Sequence, residues 1–163
     1  MNKPELLAPG GSLENELETA KKICDMGASG ARIYPTVVFY DTELADMAER
    51  GEYKMLDLED AIYRSKEVLK IFNANGVECI RIGLCASDNL GDLEKVKGGA
   101  NHPALGELVV GELYFDRMCE LINGFLESNV SVRDRELCFT VPRGELSKAI
   151  GQRAKNRIRI LEL

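Results

Sequence analysis

The sequence predicts an α/β fold made of helix-strand units, and three observations support it. An amphipathic helix, a glycine and an Arg-Ile strand five residues past that glycine occur twice, from Gly27 to Arg32 and from Gly76 to Arg81. A helix followed closely by a strand, repeated, marks units laid on a parallel sheet or barrel segment. With 163 residues, the chain suits one ordinary domain and is too short for a complete (β/α)8 barrel. Its composition, 45% apolar and 29% charged, supports a packed core rather than general disorder.

Taken in order, Leu13, Leu17, Ala20, Ile23 and Cys24 recur at helical spacing, predicting a helix over 13–26 that Gly27 stops. The β-rich run 31–40 contains Pro35, which ends a strand or confines it to an edge, so the strand is expected over 31–34. Asp41 and Thr42 can cap a short helix, 43–50, closed by Gly51. Asp57 caps the strongest helix, whose stripe of Leu58, Ala61, Ile62, Ser65, Val68, Leu69 and Phe72 runs to Gly76. Residues 77–84 (VECIRIGL) read as a buried-type strand, and 85–106 as a loop containing His102, the single histidine. Leu105, Leu108, Val109, Leu113, Met118, Leu121 and Ile122 predict a long helix to about residue 125. A strand over 136–141 and a basic helical segment interrupted at Gly151 complete the chain.

The net charge of −6 argues against a surface devoted wholly to nucleic acid. Charge is uneven, however: 143–163 holds six basic and two acidic residues, leaving −10 on 1–142. That asymmetry fits either a solvated basic helix or an appendage that meets a polyanion. The five cysteines are scattered, with no CxxC pair and no CxxxCxxC triplet, and are expected to be reduced and mostly buried. The longest apolar runs fall far short of the roughly 20 residues a membrane helix needs, and the first residues lack a signal-peptide core, so a cytoplasmic location is expected.

Several motifs follow one another with family-like spacing: RIYPTVV from Arg32, DTEL from Asp41, GEYK from Gly51, IRIGL from Ile80 and HPALGELV from His102. Together they resemble the bacterial relatives of the elongator catalytic-subunit type of radical S-adenosylmethionine (SAM) enzyme. The likeness covers roughly residues 9–122. It implies the end of a (β/α) barrel over 1–40 and a C-terminal extension over 41–128, which leaves 129–163 for a small KH-like α+β tail by a separate resemblance. Radical SAM chemistry requires a CxxxCxxC triplet to hold a [4Fe-4S] cluster with one iron open to SAM. That triplet is missing here, so the resemblance implies the C-terminal part of a truncated or split enzyme, catalytically silent by itself. SAM and the cluster belong to the complete enzyme, and the expected partner is the N-terminal radical SAM half or a second copy across exposed strand edges.

The resemblance further places Arg32 and Tyr34 at the barrel mouth as cofactor-binding residues. Pro35, Thr36, Arg81, Gly83 and His102 are substrate-contacting or structural candidates. Against this stand an Arg32 ion pair with a helix carboxylate and simple packing of Tyr34. A Cys85–His102 nucleophile pair would need contact and a third orienting group, and the sequence shows neither.

The tail, Leu146 to Asn156, is similar to the helix, GxxG loop and helix of a KH domain, which clamps a nucleic-acid backbone. Lys148, Gly151, Gln152, Arg153, Lys155 and Arg157 are its RNA-binding candidates, with tRNA the expected nucleic acid. Ala154 stands where the second glycine belongs. The rival reading is a stand-alone RNA-binding or protein-interaction module without catalysis. Residues 4–14 also resemble the opening of the collagenase-type peptidase family, with no downstream motif in support.

Overall fold

The computed structural model describes residues 11–84, 94–127 and 136–163. They form two compact units, 1–106 and 107–163.

In the first unit, α1 (Leu13–Asp25) is capped by the Ser12 hydroxyl, which accepts from Asn15 N–H at 3.3 Å. It leads to β1 (Gly30–Ile33), β2 (Val37–Phe39) and α2 (Glu43–Glu49). Of the two candidate caps for α2, Thr42 does the work, accepting from Ala45 N–H at 3.3 Å, while Asp41 turns the chain in a left-handed conformation. The expected Asp57 cap of α3 (Leu58–Ala74) is present, its carboxylate accepting from Asp60 N–H at 2.8 Å. Strands β3 (Glu78–Ile82) and β4 (Val96–Gly99) follow, and then the start of α4 (Leu105–Glu127).

The repeated outline seen in the sequence is structural. α1 and α3 stop at matching glycines, after which Ala28 N–H bonds to Ile23 O at 3.3 Å and Val77 N–H to Phe72 O at 3.0 Å. Each helix then delivers its strand, and β1 and β3 pair in parallel: Gly30 opposite Glu78, Ala31 opposite Cys79, Arg32 opposite Arg81, Ile33 opposite Ile82. A bulge between Ala31 and Arg32 leaves Ile80 as the extra residue. One face of this pair is packed. Ala31 and Ile33 are buried together with Ala20, Ala61, Val68, Leu69 and Phe72, and burial of a side chain such as Ile33 or Phe72 contributes about 2–3 kcal/mol.

Several expectations need correction. Residues 77–84 are not a two-sided buried strand: β3 is shorter, and Glu78, Ile80 and Arg81 are exposed, Ile80 by 58%. An apolar run reads as buried on both faces, whereas here a single helix layer covers one face among the described residues. The run 31–40 is two strands rather than one, broken at buried Pro35, with β2 pairing antiparallel to β4. The expected loop 85–106 therefore contains a strand at 96–99. Its glycines are there for space, since a Cβ on Gly98 would lie 2.9 Å from Met55 Sδ and one on Gly99 only 2.5 Å from Thr36 O. Cys85 and residues 4–10 lie outside the described residues.

In the second unit, α4 runs on past the expected end near 125. Residues 136–141 form no strand, because among the described residues no neighbouring strand supplies a ladder; Leu137, Phe139 and Val141 instead line an apolar groove of about 620 Å³. Helix α5 (Leu146–Ile150), a 3-10 turn (Gln152–Ala154) and α6 (Lys155–Leu161) make up the tail. They are fixed to α4 by Asn156, only 2% exposed, whose Nδ2 donates to Gly111 O at 2.7 Å and Ala149 O at 3.1 Å.

Candidate functional site

The C-terminal ends of β1 and β3 bring the first group of candidates together. Along β1, Ala31 and Ile33 point into the core, so Arg32 faces the opposite side, which no described element covers, and is exposed. Arg81 is exposed at the register position opposite it, and among the described residues neither guanidinium has a carboxylate within ion-pair distance. The ladder continues past both strands, with Gly83 N–H donating to Ile33 O at 2.9 Å beside half-buried Tyr34.

Gly83 has a requirement of its own. Its φ is +83°, and a Cβ there would sit 3.3 Å from the Cβ of buried Leu105, so glycine lets the first turn of α4 close onto the strand end. Thr36 and His102 act as struts in the same region. Thr36 O accepts from Ala100 N–H at 3.2 Å. His102 Nδ1 accepts from Ala104 N–H at 3.1 Å and its carbonyl from Leu105 N–H at 3.2 Å, so the residue holds the turn that leads into α4. Arg32, Tyr34, Pro35, Thr36, Arg81, Gly83 and His102 thus belong to one end of one unit.

Sequence reasoning missed a buried ion pair in this unit. Arg64 on α3 donates to Glu16 Oε1 on α1 at 3.1 Å, the Glu16 side chain being only 4% exposed. Burial raises the Glu16 carboxyl above its ordinary range, and Arg64 only partly offsets that. The other oxygen, Oε2, has no partner among the described residues, nor has the buried Ser65 hydroxyl. Burial likewise raises the nearby Tyr53 phenol, with the Thr36 side chain and the Arg64 charge opposing it only in part. A signal was present: Glu16 falls three residues after Leu13 and four before Ala20, within the apolar stripe of α1.

The basic candidates in the tail divide by partner. Lys148 donates to Glu145 at 2.8 Å, which raises the Lys148 ammonium above its ordinary range. Glu112 on α4 accepts from Lys155 at 3.2 Å and Arg159 at 2.7 Å, and the Arg159 guanidinium lies 3.4 Å from the Phe115 ring centre. Burial pushes the Glu112 carboxyl up, but the two cations outweigh it and leave it below the ordinary range. Arg143, Arg153 and Arg157 remain exposed without a carboxylate partner among the described residues.

Between α5 and α6 the chain turns through Gly151 (φ +78°), then exposed Gln152, then Arg153 (φ +52°) and Ala154 (φ +60°). Ala154, in the second-glycine position of the GxxG pattern, therefore adopts a left-handed conformation that favours glycine.

Among the described residues the donor set does not fit an iron-sulfur cluster. Described cysteines Cys24, Cys79, Cys119 and Cys138 lie on α1, β3, α4 and the 136–142 segment, and burial raises the first three thiols, opposing the thiolate a cluster ligand requires. Among the described residues no three His, Cys, Asp or Glu side chains are grouped to hold a metal ion. No described helix is long and apolar enough to cross a membrane.

The family model of the radical SAM C-terminal domain matches residues 28–114, just over half of the chain, and takes in every candidate of the first unit. The chain belongs to the radical SAM C-terminal domain family. No curated protein and no solved structure matches it.

Proposed function

We propose that this chain is the C-terminal region of a radical SAM enzyme of the elongator catalytic-subunit type, acting on tRNA together with an N-terminal radical SAM half. That half would hold the [4Fe-4S] cluster and SAM. The observation that carries the reading is the family match over 28–114, laid on two parallel helix-strand units whose uncovered face presents Arg32 and Arg81. When bound, the cluster and SAM would supply the radical chemistry. This chain's residues would bind and orient, with Arg32, Tyr34 and Arg81 turned toward the cofactor or substrate at the strand ends. Thr36, Gly83 and His102 hold the strand ends and the start of α4 in place.

The tail is assigned the tRNA contact. Support comes from the helix, turn and helix around Gly151–Ala154 and from the exposed Arg153 and Arg157; Lys148 and Lys155 contribute less, their charge being shared with Glu145 and Glu112. A gel shift with tRNA at two salt concentrations tests this. The complex should weaken as salt rises and weaken further in Arg153→Glu. Loss of stability in Arg153→Glu without any change in binding would overturn the RNA assignment and favour a protein-interaction module.

A further inference from the structure

The face of the β1–β3 pair that no described element covers sets two like charges side by side. Arg32 and Arg81 are register partners on adjacent strands, which in a sheet lie about 4.8 Å apart. Like charges directly opposite each other destabilise a sheet, and no described carboxylate relieves these two. The acidic residue on the same face, Glu78, is three positions before Arg81 at the other end of β3, opposite Gly30. Beside the arginines the face is apolar and low: Ile80 leans over Gly30, its Cδ1 3.1 Å from where a Cβ would stand.

We infer that Arg32 and Arg81 form a clamp for the oxyanion of a small molecule, a carboxylate or phosphate whose oxygens each guanidinium can take while Ile80 meets an apolar portion of the ligand. Two planar forks one strand spacing apart match a single group with two or three acceptor oxygens, and such charge-assisted bonds would turn the repulsion into attraction. This deepens the reading of the sheet end as ligand-facing and depends on it.

The test is thermal unfolding of the full chain in sodium phosphate, sodium malonate and sodium chloride at matched ionic strength, with Arg32→Gln and Arg81→Gln measured alongside. At least one of the two oxyanions should raise Tm beyond chloride by about 3–6 °C at tenfold its Kd, and whichever does so identifies the ligand group as phosphate or carboxylate. Each variant should abolish that excess and, in chloride alone, melt no lower than the native chain, because repulsion has been removed. No excess with either anion overturns the clamp. So does an excess that survives in either variant, since one arginine would then suffice, or a lower Tm of both variants in chloride, since the pair would already be held internally. None of these outcomes bears on the tRNA shift or on the N-terminal half, so the clamp can fail while the proposed function stands.

Discussion

Replacing Asn156 should unfasten the tail from α4. The side chain is 2% exposed and its amide nitrogen makes two bonds, 2.7 Å to Gly111 O and 3.1 Å to Ala149 O. A buried hydrogen bond contributes about 1 kcal/mol net, so Asn156→Ala loses roughly 2 kcal/mol in bonds. The small cavity left beside Gly151, whose Cβ position lies 3.0 Å from Asn156 Cγ, adds up to about 1 kcal/mol. A total of about 2–3 kcal/mol corresponds to a fall in Tm of roughly 5–10 °C. Asn156→Asp should cost more at pH 7, because it exchanges both donors for a buried charge facing two carbonyl oxygens. Its folded pKa would stand above the unfolded one, so its deficit should shrink as the pH falls toward the unfolded value. Circular dichroism melts of the three proteins at pH 7 and pH 5 measure this. If Asn156→Ala melts within 1–2 °C of the native chain and Asn156→Asp shows no recovery on acidification, the buried bonds do not hold the tail and the reasoning fails.

Gly83→Ala should cost about 1–3 kcal/mol in urea unfolding, from the left-handed backbone plus the 3.3 Å approach to Leu105, and an unchanged midpoint would show that α4 does not close there. Ala154→Gly should be neutral to about 0.5 kcal/mol stabilising, since relief of a left-handed alanine slightly exceeds the entropy glycine adds; a clear loss of Tm would contradict the turn at φ +60°. Glu112 has a lowered folded pKa, so its stabilisation is present above its unfolded pKa and is lost as pH falls through the folded value. Glu112→Gln should therefore cost about 1–2 kcal/mol at pH 7 and converge on the native chain in acid, with Tm against pH as the readout. The raised Glu16 carboxyl has the opposite sign: its charged form is disfavoured by burial, so its contribution to stability falls as pH rises from its unfolded pKa through the folded one, and Glu16→Gln should flatten that limb.

The local signals in the sequence were strong where a helix begins or ends. The Ser/Thr/Asp caps and glycine stops act within a few residues, so α1, α2 and α3 emerged within two residues of their observed ends. The repeat from Gly27 to Arg32 and from Gly76 to Arg81 pointed to two helix-strand units on one parallel sheet, and β1 and β3 do pair in parallel; Arg32 comes level with Arg81 only through the bulge at Ile80, because Gly30 and Ala31 pair at an offset one residue shorter. Long-range terms were hidden. β4 carries two glycines and reads as loop, and only the closeness of Met55 and the Thr36 backbone makes small residues necessary there. Residues 136–141 alternate like a strand but have no described neighbour to pair with. The buried Glu16–Arg64 pair is hidden from a pattern reading because a charged residue ordinarily faces solvent, although both lie at the helical spacing of their apolar stripes. At the sheet end, the residues could be named from their motifs. Their division into two exposed arginines and a set of structural struts could not be seen until the register and the His102 turn were known.

Sequencing the coding DNA on both sides of this reading frame and translating every frame is the most direct test that the chain works as part of a radical SAM enzyme. The account predicts a continuing or neighbouring frame with a CxxxCxxC triplet and the preceding barrel strands, whose product co-purifies with this chain and, once reconstituted anaerobically with iron and sulfide, binds the cluster. Flanking DNA with no such frame would contradict it and leave a stand-alone RNA-binding or interaction module.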